Sequence, residues 1–168
     1  MRPSAHRLAL AASAALALTT LAAPVVAQKA IVVVRHAEKA DQSTDPVLSA
    51  EGTARAEALA KALAALDVKA VYVTQYQRTA LTAAPLAKAA GLSPIQVHSD
   101  ATLELVERMK KEHPNDVVLT VGHSNSVPRI LKLLGATENI QLGDNDYDNL
   151  FVVVPSVSGP PTLLRLKY

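Results

Sequence analysis

Short runs of β-branched residues alternate along this chain with segments whose apolar residues recur at helical spacing, and this alternation limits the possible folds most. The run "IVVV" is apolar throughout and "VVLTV" has Thr120 as its one polar residue, which is typical of strands buried on both faces of a parallel sheet. The predicted strands cover 30–34, 69–74, 94–98, 116–122, 149–156 and 161–168. The predicted helices cover 50–66, 78–91, 102–113 and 126–135. The pattern predicts one α/β domain of three layers, with a mostly parallel sheet between helices.

The last two predicted strands have no helix between them, so we expect an antiparallel strand at the edge of the sheet. Ser49 is the expected N-cap of the first helix, and Gly91 is expected to end the second. Helical spacing also predicts which residues of the first and third helices are buried. These are Ala54, Ala58, Leu59, Ala62, Leu63 and Leu66, and then Leu103, Val106 and Met109.

The first 27 residues have the three-part pattern of a secretory signal peptide. "MRPSAHR" carries two arginines and no acid, an uncharged apolar run follows, and small residues surround a cleavage point. The apolar run is about 16 residues long, short of the roughly 20 needed to span a bilayer, so a cleaved peptide is expected rather than a membrane anchor. We expect cleavage after Ala27, with Ala23 as the second choice. A domain of residues 28–168 would then be periplasmic or secreted, with no stable membrane insertion.

Charge and cysteine content narrow the function classes. The chain has 17 Lys and Arg and 15 Asp and Glu, and loss of Arg2 and Arg7 with the signal peptide leaves 15 of each sign. A neutral domain of this kind indicates no polyanion-binding surface, so we expect no nucleic-acid partner. The absence of cysteine excludes disulfides, thiolate chemistry and a lipoprotein anchor. Export without cysteines fits a bacterial periplasm, and we expect a monomer.

Three of the predicted strands lead directly to residues that are unusual beside a buried strand. Arg35 and His36 follow the first, Arg78 opens the helix after the second, and His123 follows "VVLTVG". Ligands of open α/β sheets bind outside the carboxyl ends of the strands, so these four side chains are expected at one edge. Arginine forks bind phosphate oxygens, and a neutral imidazole can attack phosphorus to form a phosphohistidine. The sequence therefore predicts a phosphate site in which the other cationic and imidazole groups stabilise charge.

Each of these residues also has a simpler interpretation when it is taken alone. His123 could be a solvated loop residue, Arg78 a surface residue at a helix N-terminus, and Arg35 could pair with Glu38. A zinc site on the two histidines would need carboxylates nearby, and two arginines would disfavour a cation. We therefore expect no metal and no other cofactor. Two further histidines are assigned no role: His98 and His113.

Four stretches together resemble the histidine phosphatase (phosphoglycerate mutase-like) superfamily: "VVVRHAEKAD", "LSAEGTARAEALAKAL", "VYVTQYQRTALTAAPLA" and "LTVGHSNSVPRIL". They cover nearly all of the chain after the predicted signal peptide. The resemblance implies a Rossmann-like sheet and a cofactor-independent phosphohistidine mechanism. It implies that His36 is the nucleophile and that Arg35, Arg78 and His123 complete the phosphate pocket. Ala37 stands where many members have glycine, and "RHAE" is similar to the short exported branch of the family.

The proton donor is the one part of the mechanism that the sequence does not identify. In mutase-type members of the superfamily the proton donor is a glutamate in an insertion between the second arginine and the second histidine. In acid phosphatase members it is an aspartate directly after that histidine. Here Ser124 follows His123, and the 44 residues between Arg78 and His123 leave no room for a large lid. The candidates are Glu38 and Glu104. The alternative for Glu38 is a salt bridge to a neighbouring cation, and for Glu104 an exposed helix position.

The stretch "GDNDYDN" (143–149) places three aspartates and Tyr147 just before a predicted strand. It is either a solvated acidic loop or a pocket wall that recognises the substrate. It does not have the residue spacing of a calcium-binding loop.

The predicted function is hydrolysis of phosphomonoesters or phosphoramidates through a phosphohistidine at His36. The alternatives are a non-catalytic phosphate-binding module or decayed enzyme of the same fold and, less favoured, a phosphomutase. The expected partner is a phosphorylated small molecule or a phosphate group of the cell envelope. Without a strong acid, substrates with good leaving groups are favoured, and without a lid the pocket is expected to be open.

Overall fold

A computed structural model describes residues 30–156 and 158–168 of the chain. The predicted signal peptide, residues 1–27, lies outside the described residues. The strands are β1 (Ile31–Arg35), β2 (Val68–Val73), β3 (Ile95–Gln96), β4 (Val117–Gly122), β5 (Asn149–Val154) and β6 (Thr162–Lys167). The helices are α1 (Ala50–Ala62), α2 (Gln77–Ala90), α3 (Thr102–Glu112) and α4 (Ser126–Leu133). None of the helices in these two ranges has the length and apolar character needed to cross a bilayer.

The six strands form one mixed sheet in the order β3-β2-β4-β1-β5-β6. The first four strands in this order are parallel, whereas β5 pairs antiparallel with β1 and β6 pairs antiparallel with β5. The short connection between β5 and β6 allows only an antiparallel pair, because a parallel pair needs a long crossover. The predicted fold class is confirmed, and its antiparallel edge comprises two strands.

β1 lies inside the sheet and buries both of its faces. Val32 and Val34 point to one side, where they belong to a core that includes residues of α1 and α2. Ile31 and Val33 point to the other side, where the core includes residues of α3 and α4. Successive side chains of a strand alternate between faces, so a strand covered on both sides must be apolar throughout. The first run of the sequence is apolar for this reason.

α1 begins at the predicted N-cap, since the backbone N–H of Gly52 donates to Ser49 Oγ at 3.0 Å. Its buried face differs from the predicted one: Ala54 and Ala62 are exposed, and Leu66 lies beyond the end of the helix and is exposed as well. An alanine-rich helix shows little contrast between its faces. The rotation of α1 is instead set by Gly52, where a Cβ would overlap the carbonyl oxygen of Glu38 in the loop after β1.

The buried face of α3 also differs from the predicted one by one position. Val106 and Met109 are buried as expected, but Leu103 is 53% exposed and Leu105 is buried in its place. Leu105 and Met109 are four residues apart, which places them on one side of the helix. In α2 the helix continues through Pro85 and ends at Gly91, whose φ of 67° is a left-handed conformation that glycine adopts readily.

Candidate active site

The four predicted site residues meet at one edge of the sheet. β1, β2 and β4 are parallel, so their carboxyl ends lie on the same side. Arg35 ends β1 and His36 follows it, His123 follows β4, and Arg78 lies in the first turn of α2. Together they line an open cavity of about 420 Å³, here called the rim pocket. Its other lining residues are mostly polar and include Lys39, Tyr76, Ser99, Asp100, Asn125 and Asp144.

The ring of His36 is held in one tautomer. Its Nδ1 lies 2.8 Å from the carbonyl oxygen of Ala37. A carbonyl can only accept, so Nδ1 carries the proton and the lone pair of the neutral ring lies on Nε2. Burial is the main cause that lowers the pKa of His36 to about 3, and the second imidazole and the two guanidinium groups lower it further, against the hydrogen bond to Ala37. His36 is therefore a neutral imidazole at neutral pH, with Nε2 as its nucleophilic atom.

His123 is oriented by a chain of buried hydroxyl groups. Its Nε2 lies 3.1 Å from Thr74 Oγ1, which lies 3.1 Å from Thr79 Oγ1. The hydroxyl of Thr79 donates to the carbonyl of Tyr76 at 2.8 Å, so it accepts from Thr74, and Thr74 in turn accepts from Nε2–H of His123. Burial, followed by the charges of the two arginines, lowers the pKa of His123 to about 4. The second imidazole is therefore also neutral at neutral pH, with its lone pair on Nδ1.

Arg35 is fixed by the loop that precedes β5. Its Nη1 donates to the carbonyl oxygens of Gly143 at 2.7 Å and Asp144 at 3.0 Å. Its guanidinium carbon lies 4.1 Å from the ring centroid of Tyr147, a distance typical of a cation–π contact. These contacts use Nη1 and one face of the guanidinium group. The Nε–H is buried and has no hydrogen-bond partner among the described residues.

Arg78 is held in a similar way. Its guanidinium carbon lies 4.1 Å from the ring centroid of Tyr76, and Nη1 lies 3.6 Å from Asp45 Oδ1. Within residues 30–156 and 158–168, four buried side-chain nitrogen or oxygen atoms lack a partner, and two of them are the Nε atoms of Arg78 and Arg35. Both arginines line the rim pocket, and two guanidinium groups at one cavity indicate a site for an anion.

One buried threonine links the two arms of the site. The backbone N–H of Ala37 donates to Thr82 Oγ1 at 2.9 Å, and the same hydroxyl donates to the carbonyl of Arg78 at 2.7 Å. Thr82 is fully buried. Its hydroxyl therefore ties the segment that carries His36 to the first turn of α2, which carries the second arginine.

The structure brings neither predicted acid into the rim pocket. Glu38 is bound to Arg55 of α1, with N–O distances of 2.6, 2.7 and 2.9 Å, and not to Arg35 as the sequence suggested. Arg55 reaches it because α1 packs closely on the loop after β1. Glu104 lies on the exposed side of α3. The carboxylates that do line the pocket are Asp100 and Asp144, and the side chain of Asp100 is 90% exposed.

Sequence reasoning missed Tyr76 and the three buried threonines of the site, and it named Tyr147 only within a stretch that was either a solvated loop or a pocket wall. The one signal for Tyr147 is its place just before β5: Leu150 of β5 pairs with Val34 of β1, so residues that precede β5 must lie beside the end of β1. Tyr76 lies two residues before Arg78 and shows no pattern of its own. Across the described part of the chain, no group of three or more His, Asp or Glu side chains is placed to hold a metal ion.

The fold and the site define a class of protein. It is an α/β domain with two histidines and two arginines at the carboxyl edge of its sheet. A family model described as the histidine phosphatase superfamily (branch 1) matches residues 31–104, which include Arg35, His36 and Arg78. No curated protein matches the chain by sequence.

Solved structures share this fold at low sequence identity. The protein histidine phosphatase SixA, complexed with tungstate, is 17% identical, with 82% of this chain and 96% of that chain covered at a TM-score of 0.66. A mycobacterial glucosyl-3-phosphoglycerate phosphatase is 14% identical (83% and 98% covered, TM-score 0.63). A phosphoserine phosphatase of Entamoeba histolytica, in complex with 3-phosphoglyceric acid, is 15% identical (83% and 97% covered, TM-score 0.65). The chain is thus similar to the histidine phosphatase superfamily by sequence over residues 31–104, and it shares the fold of these phosphatases over most of its length.

Proposed function

We propose that the chain is a phosphatase that transfers the phosphoryl group of a monoester or phosphoramidate to His36 and then to water. One observation carries the proposal: a neutral imidazole with its lone pair on Nε2 shares the rim pocket with two guanidinium groups. The guanidinium groups would bind the phosphoryl oxygens, and the charge that develops on those oxygens would be stabilised by donors already in place.

The reaction would proceed in two steps. In the first, the Nε2 lone pair of His36 forms a bond to phosphorus while the bond from phosphorus to the leaving atom breaks. The leaving atom keeps that electron pair and takes up a proton. The contact from Nδ1–H to the carbonyl of Ala37 would stabilise the positive ring. In the second step, water bonds to phosphorus, the N–P bond breaks, a proton of the water is released, and His36 returns to its neutral form.

The class of substrate follows from what surrounds the phosphate site. Neither Glu38 nor Glu104 lies at the pocket, and Asp100, one of the two carboxylates that line it, is largely exposed, so a leaving group that needs little protonation is favoured. The pocket is open and mostly polar, so phosphate on a large polar molecule would fit. The similar structures are named for a protein histidine, a sugar derivative and phosphoserine. We infer that groups outside the rim pocket select the substrate of this chain.

Export of the chain remains a prediction. Residues 1–27 would direct residues 28–168 to the periplasm or the medium, where the substrate would be a phosphorylated small molecule or an envelope phosphate. N-terminal sequencing of the protein from a periplasmic fraction tests this, and a protein that retains Met1 and stays in the cytoplasm would contradict it.

The test of the proposed function is release of inorganic phosphate from p-nitrophenyl phosphate by residues 28–168 in the presence of EDTA. The wild type should turn over and form a base-stable, acid-labile phosphoenzyme, and His36→Ala should lose both. Turnover that survives in His36→Ala would exclude this residue as the nucleophile. Turnover that EDTA abolishes would exclude the metal-free mechanism.

A phosphate-binding module is the second candidate, because Glu38 is bound to Arg55 and the rim carboxylate of Asp100 is largely exposed. Such a module would bind phosphate or tungstate without a phosphoenzyme and without turnover. A phosphomutase would instead keep the phosphoryl group and move it within one substrate, which product analysis separates from release into water.

A further inference from the structure

Two tyrosines, Tyr147 and Tyr76, make the same pair of contacts with residues of the rim pocket. Tyr147 packs against Arg35 and lies 6.0 Å, centroid to centroid, from the ring of His36. Tyr76 packs against Arg78 and lies 5.4 Å from the ring of His123, at right angles to it. The arginine-to-ring distance is 4.1 Å in both pairs. Each tyrosine therefore covers one arginine and one histidine, although the two come from different parts of the chain.

Packing against a ring face restricts a guanidinium group in a way that suits anion binding. The aromatic face attracts the cation and shields one side of its plane, but it leaves the N–H groups in the plane available as donors. The carbonyls of Gly143 and Asp144 occupy Nη1 of Arg35. The guanidinium groups of Arg35 and Arg78 are thereby held at the rim pocket, which both residues line.

The loop that carries Tyr147 has contacts that hold it in place. Within this loop Asp146 Oδ2 accepts from the backbone N–H of Gly143 at 2.7 Å. The antiparallel pairing of β5 with β1 fixes the end of the loop beside the end of β1. Residues 143–145 are exposed, but the loop is tied both to its own backbone and to Arg35, so it can support that side chain.

We propose that Tyr147 and Tyr76 are positioning residues, which hold the guanidinium groups of Arg35 and Arg78 at the rim pocket in the orientation that binds the phosphoryl group. This inference rests on the proposed phosphate-transfer function. Neither tyrosine needs to touch the reacting atoms. Each acts through its own arginine, so the effect of replacing Tyr147 should depend on Arg35 and the effect of replacing Tyr76 should depend on Arg78.

Leucine and phenylalanine variants of each tyrosine separate positioning from simple packing. Replacement of an aromatic–guanidinium contact should lower kcat/KM for p-nitrophenyl phosphate, and the affinity for tungstate measured by calorimetry, by about 3- to 30-fold. Tyr147→Leu and Tyr76→Leu should show this loss at 25 °C. Tyr147→Phe and Tyr76→Phe, which keep the ring, should recover most of it. Equal losses in the Phe and Leu variants would overturn the inference.

Double-mutant cycles test the pairing directly. In an Arg35→Lys background the effect of Tyr147→Leu should largely disappear, because lysine lacks the planar group that packs on the ring. In an Arg78→Lys background the effect of Tyr147→Leu should persist in full. Tyr76→Leu should show the reverse pattern. If the fold losses of the two single variants simply multiply in all four double variants, the tyrosines do not act through their arginines.

Tyr168 provides a matched control, since its ring lies 6.0 Å from the guanidinium carbon of Arg55 and it does not line the rim pocket. Tyr168→Leu should lower the Tm without coupling to Arg35 or Arg78. The proposed function and the further inference can fail separately. A wild type that neither binds tungstate nor turns over substrate defeats the proposed function, whereas tungstate binding without the expected pairwise coupling defeats only the roles of the tyrosines.

Discussion

The imidazole rings of His36 and His123 lie 5.3 Å apart, centroid to centroid, with their planes inclined at 62°. Two charged rings at this distance, next to two guanidinium groups and largely removed from solvent, would repel strongly. Burial first, and then these neighbouring groups, lower the pKa of His36 to about 3 and that of His123 to about 4. Both rings therefore remain neutral in the range where an ordinary histidine takes up a proton.

The pH dependence of activity should reflect these lowered values. The acid limb of kcat/KM reports the protonation of essential groups in the free enzyme. We expect the limb that belongs to His36 near pH 3, and any limb that belongs to His123 near pH 4, rather than near the ordinary value of 6.5. The measurement is kcat/KM for p-nitrophenyl phosphate from pH 3 to 8, corrected for the substrate's own ionisation near about pH 6. A corrected limb near 6.5 would contradict the neutral, buried nucleophile.

Stability should depend on pH for the same reason. The folded pKa of His36 lies below the unfolded value, so between about pH 6.5 and 3 the unfolded chain binds more protons and stability falls as the pH falls. His36→Gln removes this contribution. Urea unfolding at pH 7 and pH 4.5 should show a smaller difference in unfolding free energy for the variant than for the wild type. His98→Gln, at a side chain 64% exposed, is the control and should keep the wild-type difference.

Thr82→Val should lower both stability and activity. The variant keeps the shape of the side chain but leaves the buried N–H of Ala37 without its acceptor, which costs about 1–3 kcal/mol of unfolding free energy. It also breaks the link between Arg78 and the segment after β1, so kcat/KM for p-nitrophenyl phosphate should fall as well, whereas the m-value of unfolding should not change.

Thr53→Val is the matched control for that substitution. The hydroxyl of Thr53 also donates to the carbonyl four residues earlier, at 2.9 Å, but it lies on the exposed side of α1. Its loss should change the unfolding free energy by no more than about 0.5 kcal/mol. If both valine variants behave alike in chemical denaturation, the bridge through Thr82 contributes nothing beyond an ordinary helical hydroxyl.

Features that depend on local pattern were predictable from the sequence. The wholly apolar run of β1 requires cover on both faces, and a cation and an imidazole at its end mark the ligand edge of a parallel sheet. The sheet then brings Arg35, His36, Arg78 and His123 to one pocket because β4 lies between β1 and β2. The N-cap at Ser49 followed from its side chain alone.

Features that depend on packing between distant segments were not predictable. The rotation of α1 is set by the close approach of Gly52 to the loop after β1, which an alanine-rich helix does not reveal. The same approach brings Arg55 to Glu38, a pairing 17 residues apart in sequence. Tyr147 reaches Arg35 only because β5 runs antiparallel to β1, and hydrophobic periodicity says nothing about that partner.

Glu38→Gln decides whether this residue is the proton donor or a structural anchor. Both carboxylate oxygens accept from Arg55, whose side chain is 19% exposed, so the variant should lose about 1–3 kcal/mol of unfolding free energy. An acid is needed most by a poor leaving group: p-nitrophenolate departs without a proton, whereas an alkoxide does not. We expect the ratio of kcat/KM for p-nitrophenyl phosphate to that for ethyl phosphate to stay at the wild-type value. Glu104→Gln, on the exposed side of α3, should change neither this ratio nor the unfolding free energy. A selective loss of ethyl phosphate hydrolysis in either variant would identify that glutamate as the missing acid, and would require its side chain to leave the position it occupies in this structure.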